Sequence, residues 1–282
     1  MSNVPTLTLN DGHTIPQLGF GTYQVKPENA AETVSKALET GYRHIDTAQM
    51  YKNEREVGEA INNSGISRDE IFVTSKLNNG FHRPDDARKA FDQTLKELNM
   101  DYVDLFLIHW PLPKLYDGDY VSTWQTMEEF QKDGRARSIG VSNFEVAHLE
   151  KLAAETDTVP AVNQIEAHPY FHNDEVRRYG EQHNIATEAW APIVKGEVLD
   201  DTVITKIANE VGKTPAQVVL RWHLQRGDIV FPKTVTPSRM EENFDLFDFE
   251  LSSEQIEKVS SLGKGEEGRT GPHPNEMDVI PD

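Results

Sequence analysis

Short apolar runs alternate with longer amphipathic stretches along this chain, and this alternation restricts the fold more than any other feature. After Pro16, runs of four to seven mostly apolar residues are separated by amphipathic stretches of ten or more residues. The pattern is typical of repeated strand–helix units, which build a parallel sheet. The eight strands that it predicts cover 18–22, 44–47, 71–76, 103–109, 136–141, 162–166, 186–190 and 229–233.

The amphipathic stretches predict helices between and after these strands. Helix 215–226 has the clearest start, because Thr214 suits the N-cap and Pro215 the first helical position. The predicted helices cover 29–40, 54–63, 84–98, 121–133, 145–154, 174–183, 202–211, 215–226, 238–244 and 253–262.

Eight such strands favour an α/β fold of the (β/α)8 TIM-barrel type over an open doubly wound sheet. An open sheet that binds a dinucleotide would carry a Gly-rich fingerprint in its first strand–helix turn, and 18–22 lacks one. The spacing recurs only at 263–268, which follows a helix, contains two acids and reads as a loop. Asn10-Asp11-Gly12 predicts an N-terminal β-hairpin. We therefore expect one barrel domain over 1–282, with an irregular Gly- and Pro-containing tail from Gly263.

The amino-acid composition restricts which binding partners and which cellular location the protein can have. The formal net charge is −19, with acids and bases mixed along the chain, which argues against nucleic acid or an anionic membrane as a partner. The chain has no cysteine, which excludes thiolate metal sites and thiol nucleophiles. Residues 1–5 lack the basic and apolar regions of a leader peptide, so we expect a cytoplasmic protein without a membrane span.

Ionisable residues stand where three consecutive predicted strands end. Asp46 ends the second strand, with Tyr51 just beyond it, Lys76 ends the third, and His109 ends the fourth. Barrel active sites lie at these carboxyl ends, and adjacent strands are about 4.8 Å apart, so we expect the four side chains to converge. For the first strand end alone, an Asp that caps a helix and a Tyr on the surface explain the residues equally well.

The chemistry of these groups indicates reduction of a carbonyl. A phenol has a pKa near 10 and donates a proton poorly at neutral pH unless a cation stabilises its anion. Lys76 can supply that cation, Asp46 can hold Lys76 in place, and His109 can orient the oxygen that accepts the proton. Such a set fits addition of hydride to a carbonyl better than hydrolysis, and hydride requires a nicotinamide carrier.

The later strand ends suit that carrier. Ser142, Asn143 and Gln164 offer hydroxyl and amide groups for a carboxamide, and Trp190 can stack on a flat ring. Each has an ordinary alternative: Ser142 or Asn143 as an N-cap, and Trp190 as a core residue. A small basic cluster at the start of a helix, in so acidic a chain, predicts a phosphate site. This cluster consists of Lys233, Thr234 and Arg239, with Ser238 opening the helix.

With these motifs in hand, the sequence resembles the aldo-keto reductase superfamily, most closely the bacterial 2,5-diketo-D-gluconate reductases. The resemblance runs nearly end to end, from Leu9 to the tail. The motifs that carry it are Gly-Tyr-Arg-His-Ile-Asp-Thr-Ala at 41–48, Ser-Lys-Leu at 75–77, Leu-Ile-His-Trp-Pro at 107–111, Ile-Gly-Val-Ser-Asn-Phe at 139–144, Val-Asn-Gln-Ile-Glu at 162–166, Pro-Ala-Gln-Val-Val-Leu-Arg at 215–221 and Phe-Pro-Lys-Thr at 231–234.

The resemblance implies reduction of aldehydes and ketones by NADPH in a monomer, with keto sugars such as 2,5-diketo-D-gluconate among the candidate substrates. The implied catalytic tetrad is Asp46, Tyr51, Lys76 and His109. The implied cofactor contacts come from Thr22, Ser142, Asn143, Gln164, Trp190, Lys233, Thr234, Arg239, Glu242 and Asn243. We expect Phe20, Tyr23, Trp110 and the irregular tail to be available to line the substrate pocket, and we expect no metal.

Three positions depart from the pattern of the family. Asn78 stands where many relatives have Trp, which would widen the substrate pocket. Thr236 and Pro237 stand where a second basic residue is common, so NADH becomes an alternative cofactor. Lys195 lies in an altered loop after Trp190, where a pyrophosphate contact and a solvated side chain are equally good interpretations.

Two other classes of protein remain as alternatives. A metal-dependent barrel hydrolase would need clustered ligands, whereas the remaining histidines are scattered. A nucleotide-binding relative without activity, acting as a regulatory or interaction subunit, would not need the whole tetrad. The substrate stays open among keto sugars, keto esters, methylglyoxal and aromatic aldehydes.

Overall fold

The computed structural model describes residues 4–281 and has a barrel of eight parallel strands at its centre. The barrel strands are β3 (Phe20–Gly21), β4 (His44–Asp46), β5 (Phe72–Leu77), β6 (Val103–Ile108), β7 (Ala136–Ser142), β8 (Val162–Glu166), β9 (Ala186–Trp190) and β10 (Ile229–Val230). They pair in sequence order, and a parallel bridge between Leu18 and Val230 closes the ring. The predicted (β/α)8 barrel is therefore confirmed.

Helices surround the barrel and cover its outer surface. They are α1 (Pro27–Thr40), α2 (Glu54–Asn63), α3 (Pro84–Leu98), α4 (Tyr120–Lys132), α5 (Val146–Glu155), α6 (Asp174–Gln182), α7 (Thr202–Val211), α8 (Pro215–Gln225), α9 (Pro237–Phe244) and α10 (Ser253–Ser260). Their apolar faces pack on outward strand residues such as Ile45, Val73 and Phe106 in the largest hydrophobic cluster. Within residues 4–281, no helix is long and apolar enough to cross a membrane.

A β-hairpin closes the end of the barrel at which the strands begin. Strands β1 (Thr6–Thr8) and β2 (Thr14–Pro16) pair antiparallel, which confirms the predicted hairpin. Leu9 and Ile15 from this hairpin pack inside the barrel against Phe72, Leu105 and Val162. The open end of the barrel is therefore the opposite one, where the strands terminate.

The first and last barrel strands are shorter than the sequence predicts. Only Phe20–Gly21 of 18–22 and Ile229–Val230 of 229–233 form regular strand. Pro232 has no N–H to donate, so the ladder at the seam cannot continue regularly, although its carbonyl still accepts from Gly21 N–H at 3.3 Å. The tail is irregular as expected, apart from one 3₁₀ turn over Gly265–Gly268.

Candidate active site

The alternation of the strands brings Asp46, Tyr51 and Lys76 together inside the open end of the barrel. Lys76 Nζ lies 2.7 Å from Asp46 Oδ1, 2.9 Å from the Thr47 carbonyl oxygen and 3.4 Å from the Tyr51 hydroxyl. These three acceptors use all three hydrogens of the ammonium group. Lys76 is fully buried and Asp46 almost fully buried. The Lys76 side chain therefore keeps one orientation, with its ammonium group directed toward the Tyr51 hydroxyl.

Burial has the largest effect on the pKa of Tyr51 and also acts on the pKa of Lys76. It raises the pKa of Tyr51 to about 12, even though the ammonium of Lys76 acts to lower it. Burial alone would lower the pKa of Lys76, but the charges of Asp46 and Tyr51 raise it above its usual value. Lys76 therefore favours the phenolate, as the sequence predicts, but burial outweighs this effect and raises the pKa of Tyr51 overall. At neutral pH the phenol is protonated and Lys76 is charged.

His109 follows the end of β6 and faces Tyr51. The two rings meet edge to face with 5.8 Å between their centroids. Burial, followed by the charge of Lys76, holds the pKa of His109 well below its usual value, so the imidazole is neutral. Its Nδ1 is buried without a hydrogen-bond partner among the described residues, while Asn143 Nδ2 donates to its backbone carbonyl at 2.9 Å. The neutral ring therefore keeps one N–H donor, and Asn143 fixes the backbone that carries the ring.

A buried asparagine that the sequence argument did not single out fixes the loop that carries Tyr51. Asn53 Nδ2 donates to the carbonyls of Thr22 at 3.1 Å and Val25 at 3.0 Å, and Asn53 Oδ1 accepts from the Thr47 hydroxyl at 2.8 Å. The Thr22 hydroxyl in turn donates to the Asp46 carbonyl. This arrangement ties the first two strand ends together next to Tyr51. The position of Asn53 in the sequence, directly before a helix, suggested only the start of that helix.

Gln164 links the tetrad to a second buried acid. Its Nε2 donates to Asp46 Oδ2 and to Glu188 Oε2, both at 2.9 Å. Glu188 was missed by the sequence argument, although an acid in the middle of an apolar strand such as β9 is an available signal. Asp46 is thus held on both carboxylate oxygens, one by Lys76 and one by Gln164.

Ser142, Asn143 and Trp190 form a hydrogen-bonded group at the mouth of the barrel. Ser142 Oγ donates to the Gln164 carbonyl at 2.8 Å, Asn143 Nδ2 donates to Ser142 Oγ at 3.1 Å, and Trp190 Nε1 donates to Asn143 Oδ1 at 2.8 Å. The alternative that Ser142 or Asn143 caps the next helix is wrong. Glu145 occupies that N-cap and forms a reciprocal capping box with His148.

The C-terminal tail is fastened beside Trp190 by one carboxylate. Glu166 accepts from Thr270 N–H at 2.7 Å, from the Thr270 hydroxyl at 2.6 Å, from Gly271 N–H at 2.9 Å and from His168 Nε2 at 3.0 Å. A side chain at Gly271 would come within 2.4 Å of the Trp190 ring, so the tail lies directly against it. Further along, the Val279 carbonyl accepts from Asn79 Nδ2.

Replacing Glu166 by Gln should release this tail. A side-chain amide has one acceptor oxygen and would turn N–H groups toward backbone donors, leaving at least one of them unpaired. We expect proteolysis within residues 269–281 to become about tenfold faster, measured by mass spectrometry of timed digests. Glu276→Gln is the matched control. Glu276 lies on the same tail, but its replacement removes only an exposed ion pair with Lys114 and should hardly change the rate of proteolysis. Equal cleavage of the two variants would contradict the anchoring role.

The basic cluster lies at the start of α9, as the sequence suggested. Lys233 and Arg239 are exposed and form no ion pair among the described residues, despite the acidity of the chain. Thr236, the N-cap of α9, makes no side-chain capping bond. Pro237 has no N–H and Arg239 N–H donates to the Thr236 carbonyl at 3.0 Å, so Ser238 supplies the N–H in this first turn that has no partner among the described residues and can bind an anion. Thr234 Oγ1 accepts from Thr236 N–H at 3.1 Å. The donors present fit a phosphate group.

Glu242 and Asn243, the predicted adenine contacts, follow on α9. The Glu242 carboxylate accepts from the Thr214 hydroxyl at 2.8 Å, and Asn243 is 5% exposed. Both residues lie about one turn beyond Arg239 on the same helix. The Glu242 carboxylate is held by Thr214, the N-cap of α8.

The structure separates the three predicted substrate residues. Phe20 is wrong as a pocket residue, because it is fully buried and packs edge to face on Tyr42 at 5.4 Å. Its register partner on β4 is Ile45, which faces the outer helices, whereas Gly21 pairs with Asp46 and faces inward. Tyr23 is 55% exposed with its ring 5.2 Å from the Tyr51 ring.

Trp110 and Asn78 complete the surroundings of the tetrad. Trp110 follows His109 and is 7% exposed, yet it belongs to none of the three hydrophobic clusters. The Asn78 side chain accepts from Gly80 N–H at 2.9 Å and so caps a short 3₁₀ turn instead of presenting an aromatic wall. Lys195 is exposed on a loop with a positive φ of 53°. Among residues 4–281, no group of three or more metal-binding side chains comes together.

With this geometry established, comparison with known proteins gives a consistent result. The model of the Aldo/keto reductase family matches residues 17–264. An aldo-keto reductase of Mycolicibacterium smegmatis is 50% identical over 270 residues, which is 96% of this chain and 97% of that protein. Methylglyoxal reductase DkgA of Escherichia coli K12 is 45% identical over 279 residues, covering 98% and 99% of the two chains.

Solved structures agree with the sequence comparison. The apo crystal structure of Gox0644 superposes with a TM-score of 0.94 at 44% identity and covers 99% of this chain and all of its own. A variant of Gox0644 was crystallised in complex with NADPH, with the same TM-score and identity. An aldo/keto reductase from Brucella melitensis is 49% identical with a TM-score of 0.89 over 92% of this chain.

The chain therefore belongs to the aldo/keto reductase family, and it is an NAD(P)H-dependent oxidoreductase. The predicted family and reaction class are confirmed, and the expected NADPH cofactor agrees with the NADPH complex of Gox0644. The predictions of a monomer, of a cytoplasmic location and of one domain over 1–282 stay predictions.

Proposed function

We propose that this protein reduces small aldehydes and ketones to alcohols with NADPH, and that Tyr51 donates the proton. One observation carries the proposal: a fully buried Lys76 ammonium lies between the carboxylate of Asp46 and the hydroxyl of Tyr51. This arrangement suits a phenol that must give up a proton and briefly carry negative charge. It has no evident use in a protein that only binds a nucleotide.

The residues divide the work as follows. When bound, NADPH supplies the hydride that the carbonyl carbon accepts. Tyr51, protonated at neutral pH, gives its proton to the carbonyl oxygen as negative charge develops there. The Lys76 ammonium stabilises the resulting phenolate, and Asp46 keeps that ammonium in place. The neutral His109 donates its one N–H to the same carbonyl oxygen and orients it.

The cofactor groups are assigned to residues by the chemistry of their side chains. Gln164, Ser142 and Asn143 would hold the carboxamide, the half-buried Trp190 would stack on the nicotinamide ring, and Thr22 would contribute at the first strand end. The exposed cations Lys233 and Arg239, with Thr234 and the N–H of Ser238 at the start of α9, would hold the 2′-phosphate. Glu242 and Asn243 would contact the adenine.

Removing the two cations should weaken NADPH binding selectively. A phosphate that loses two charge-assisted contacts at the surface should bind about 10- to 100-fold more weakly in the Lys233→Ala/Arg239→Ala variant. Binding of NADH, which lacks that phosphate, should change less than threefold. Quenching of Trp fluorescence measures both, and Lys206→Ala on α7 controls for loss of an exposed positive charge. An equal loss for the two cofactors would place the phosphate elsewhere.

The substrate class is tested by following NADPH oxidation at 340 nm with methylglyoxal, a keto ester, a keto sugar and an aromatic aldehyde, and identifying the alcohol formed. Tyr23 and Trp110 are the proposed walls of the substrate pocket. A parallel series with NADH shows whether Thr236 and Pro237 have relaxed the choice of cofactor. The alternative is a cofactor-binding regulatory or interaction subunit, which would quench its fluorescence with NADPH while reducing none of these carbonyls.

A further inference from the structure

Glu188 lies directly beneath the proposed site and has no role in the mechanism above. It projects into the barrel from β9, is fully buried, and stands opposite Gln164 in the parallel register of β8 and β9. An acid in such a place is costly unless its hydrogen bonds compensate for the loss of water. Among residues 4–281 it accepts one hydrogen bond, from Gln164 Nε2 at 2.9 Å, which connects it to the site.

The hydrogen-bond inventory of Gln164 is fixed by its two acidic neighbours. Oxygen atoms of Asp46 and Glu188 each lie 2.9 Å from the same Nε2. The Asp46 carboxylate can only accept, and Glu188 accepts at Oε2 because a proton on its carboxyl belongs on Oε1, which faces His44 Nε2 at 3.6 Å. The amide nitrogen has two hydrogens, and both are used. The orientation of the side-chain amide is therefore determined, and Oε1 is left facing away from the acids with no hydrogen bond from any described residue.

The surroundings of Glu188 agree with a carboxyl that is held rather than paired with a cation. Its Oε1 has no hydrogen-bond partner among the described residues and lies 3.6 Å from His44 Nε2. His44 Nδ1 lies 3.3 Å from the Pro16 carbonyl and so must carry the proton, which leaves Nε2 as an acceptor. Burial, followed by the charge of Asp46, raises the pKa of Glu188 to about 8. At neutral pH the protonated form of Glu188 therefore predominates and adds little negative charge beside Asp46.

We propose that Glu188 is a positioning residue that locks the Gln164 amide, so that Gln164 Oε1 accepts a hydrogen bond from the carboxamide NH₂ of the nicotinamide. The inference rests on the proposed function and deepens it. Without an acceptor at 188, one hydrogen of the Gln164 amide loses its partner, and only the bond to Asp46 still holds the amide. The amide can then rotate about that bond and move Oε1 away from the carboxamide NH₂ group, so the contact is weakened or lost.

The test uses a cofactor analogue that lacks the group in question. Dissociation constants of NADPH and of its reduced 3-acetylpyridine analogue, which has a methyl group in place of the NH₂, are measured by fluorescence on the intact protein without substrate. Glu188→Met removes the acceptor at similar length, and Glu188→Leu is a second variant in case the first fails to fold. Glu188→Gln is the matched control, because its Oε1 can still accept from Gln164.

The expected result is selective. NADPH should bind about tenfold more weakly to Glu188→Met than to the wild type, the effect of one lost hydrogen bond, and Glu188→Gln should restore binding to within about twofold. The acetylpyridine analogue should bind the wild type and Glu188→Met equally, because the contact is already absent. Equal weakening of both cofactors, or no weakening of either, would overturn the proposal. Neither outcome would affect carbonyl reduction by the wild type, so the proposed function is judged separately.

Discussion

Tyr51→Phe should lose carbonyl reduction by about 10²- to 10⁴-fold, the range that a positioned general acid contributes, while binding NADPH as tightly as the wild type. The substitution removes one oxygen atom and keeps the ring that meets His109 edge to face and Tyr23 at 5.2 Å. The Lys76 ammonium keeps its two shorter contacts, to Asp46 and to the Thr47 carbonyl. We therefore expect the fold and the cofactor site to persist.

The loss should appear in kcat with each active carbonyl, and NADPH binding measured by Trp fluorescence should change less than twofold. Tyr23→Phe is the matched control, since it removes the hydroxyl of the neighbouring exposed tyrosine and should reduce kcat only slightly. If Tyr51→Phe retained more than a tenth of wild-type turnover, another group would have to donate the proton.

Lys76→Met should have the second largest effect, acting on both turnover and stability. The ammonium lowers the pKa of Tyr51 against the effect of burial, so its removal makes the phenol a still weaker acid. We expect kcat to fall by about 10²-fold or more, with a much smaller change in NADPH affinity. The variant also leaves Asp46 buried without its cation, which should lower the free energy of unfolding by about 3–5 kcal/mol.

A double variant separates the two consequences. Asp46→Asn/Lys76→Met removes the unpaired charge and should recover much of the lost stability, measured by urea unfolding, because it replaces an uncompensated carboxylate by a neutral amide. Turnover should stay low in the double variant, since the cation that supports Tyr51 is still missing. Recovery of turnover together with stability would show that Lys76 serves only to balance the charge of Asp46.

The barrel and the convergence of the tetrad were predictable from the sequence because both follow from a simple period. Alternating short apolar runs and amphipathic stretches define the strand–helix units, and ionisable residues at successive strand ends must meet at one end of the barrel. The positions of Asp46, Lys76 and His109 depend only on that rule. Tyr51 lies outside a strand, but it follows Asp46 closely enough to remain beside it.

Phe20 shows where the same reasoning failed. Whether a strand residue faces inward or outward is decided by its register with the next strand, and in the short β3 the partner of Phe20 is the outward-facing Ile45. Long-range hydrogen bonds were also out of reach. The attachment of Thr270 and Gly271 to Glu166 joins residues more than 100 positions apart, and nothing local to either segment indicates it.

Buried polar residues were only partly visible in the sequence. Glu188 was detectable as an acid inside an apolar strand, but its partner Gln164 and its fully buried state emerge only from the pairing of β8 and β9. The net pKa of Tyr51 was likewise hidden, because the extent of burial, which outweighs the charge of Lys76, depends on the whole packed structure.

A single-turnover experiment tests the central claim most directly. Wild type and Tyr51→Phe, each saturated with NADPH, are mixed with excess methylglyoxal or the best carbonyl of the series, and absorbance at 340 nm is followed in a stopped-flow instrument. The account predicts a rapid decay for the wild type and a decay at least about 100-fold slower for the variant, with equal initial NADPH occupancy. Equal decay rates, or full NADPH occupancy without decay in the wild type, would contradict it.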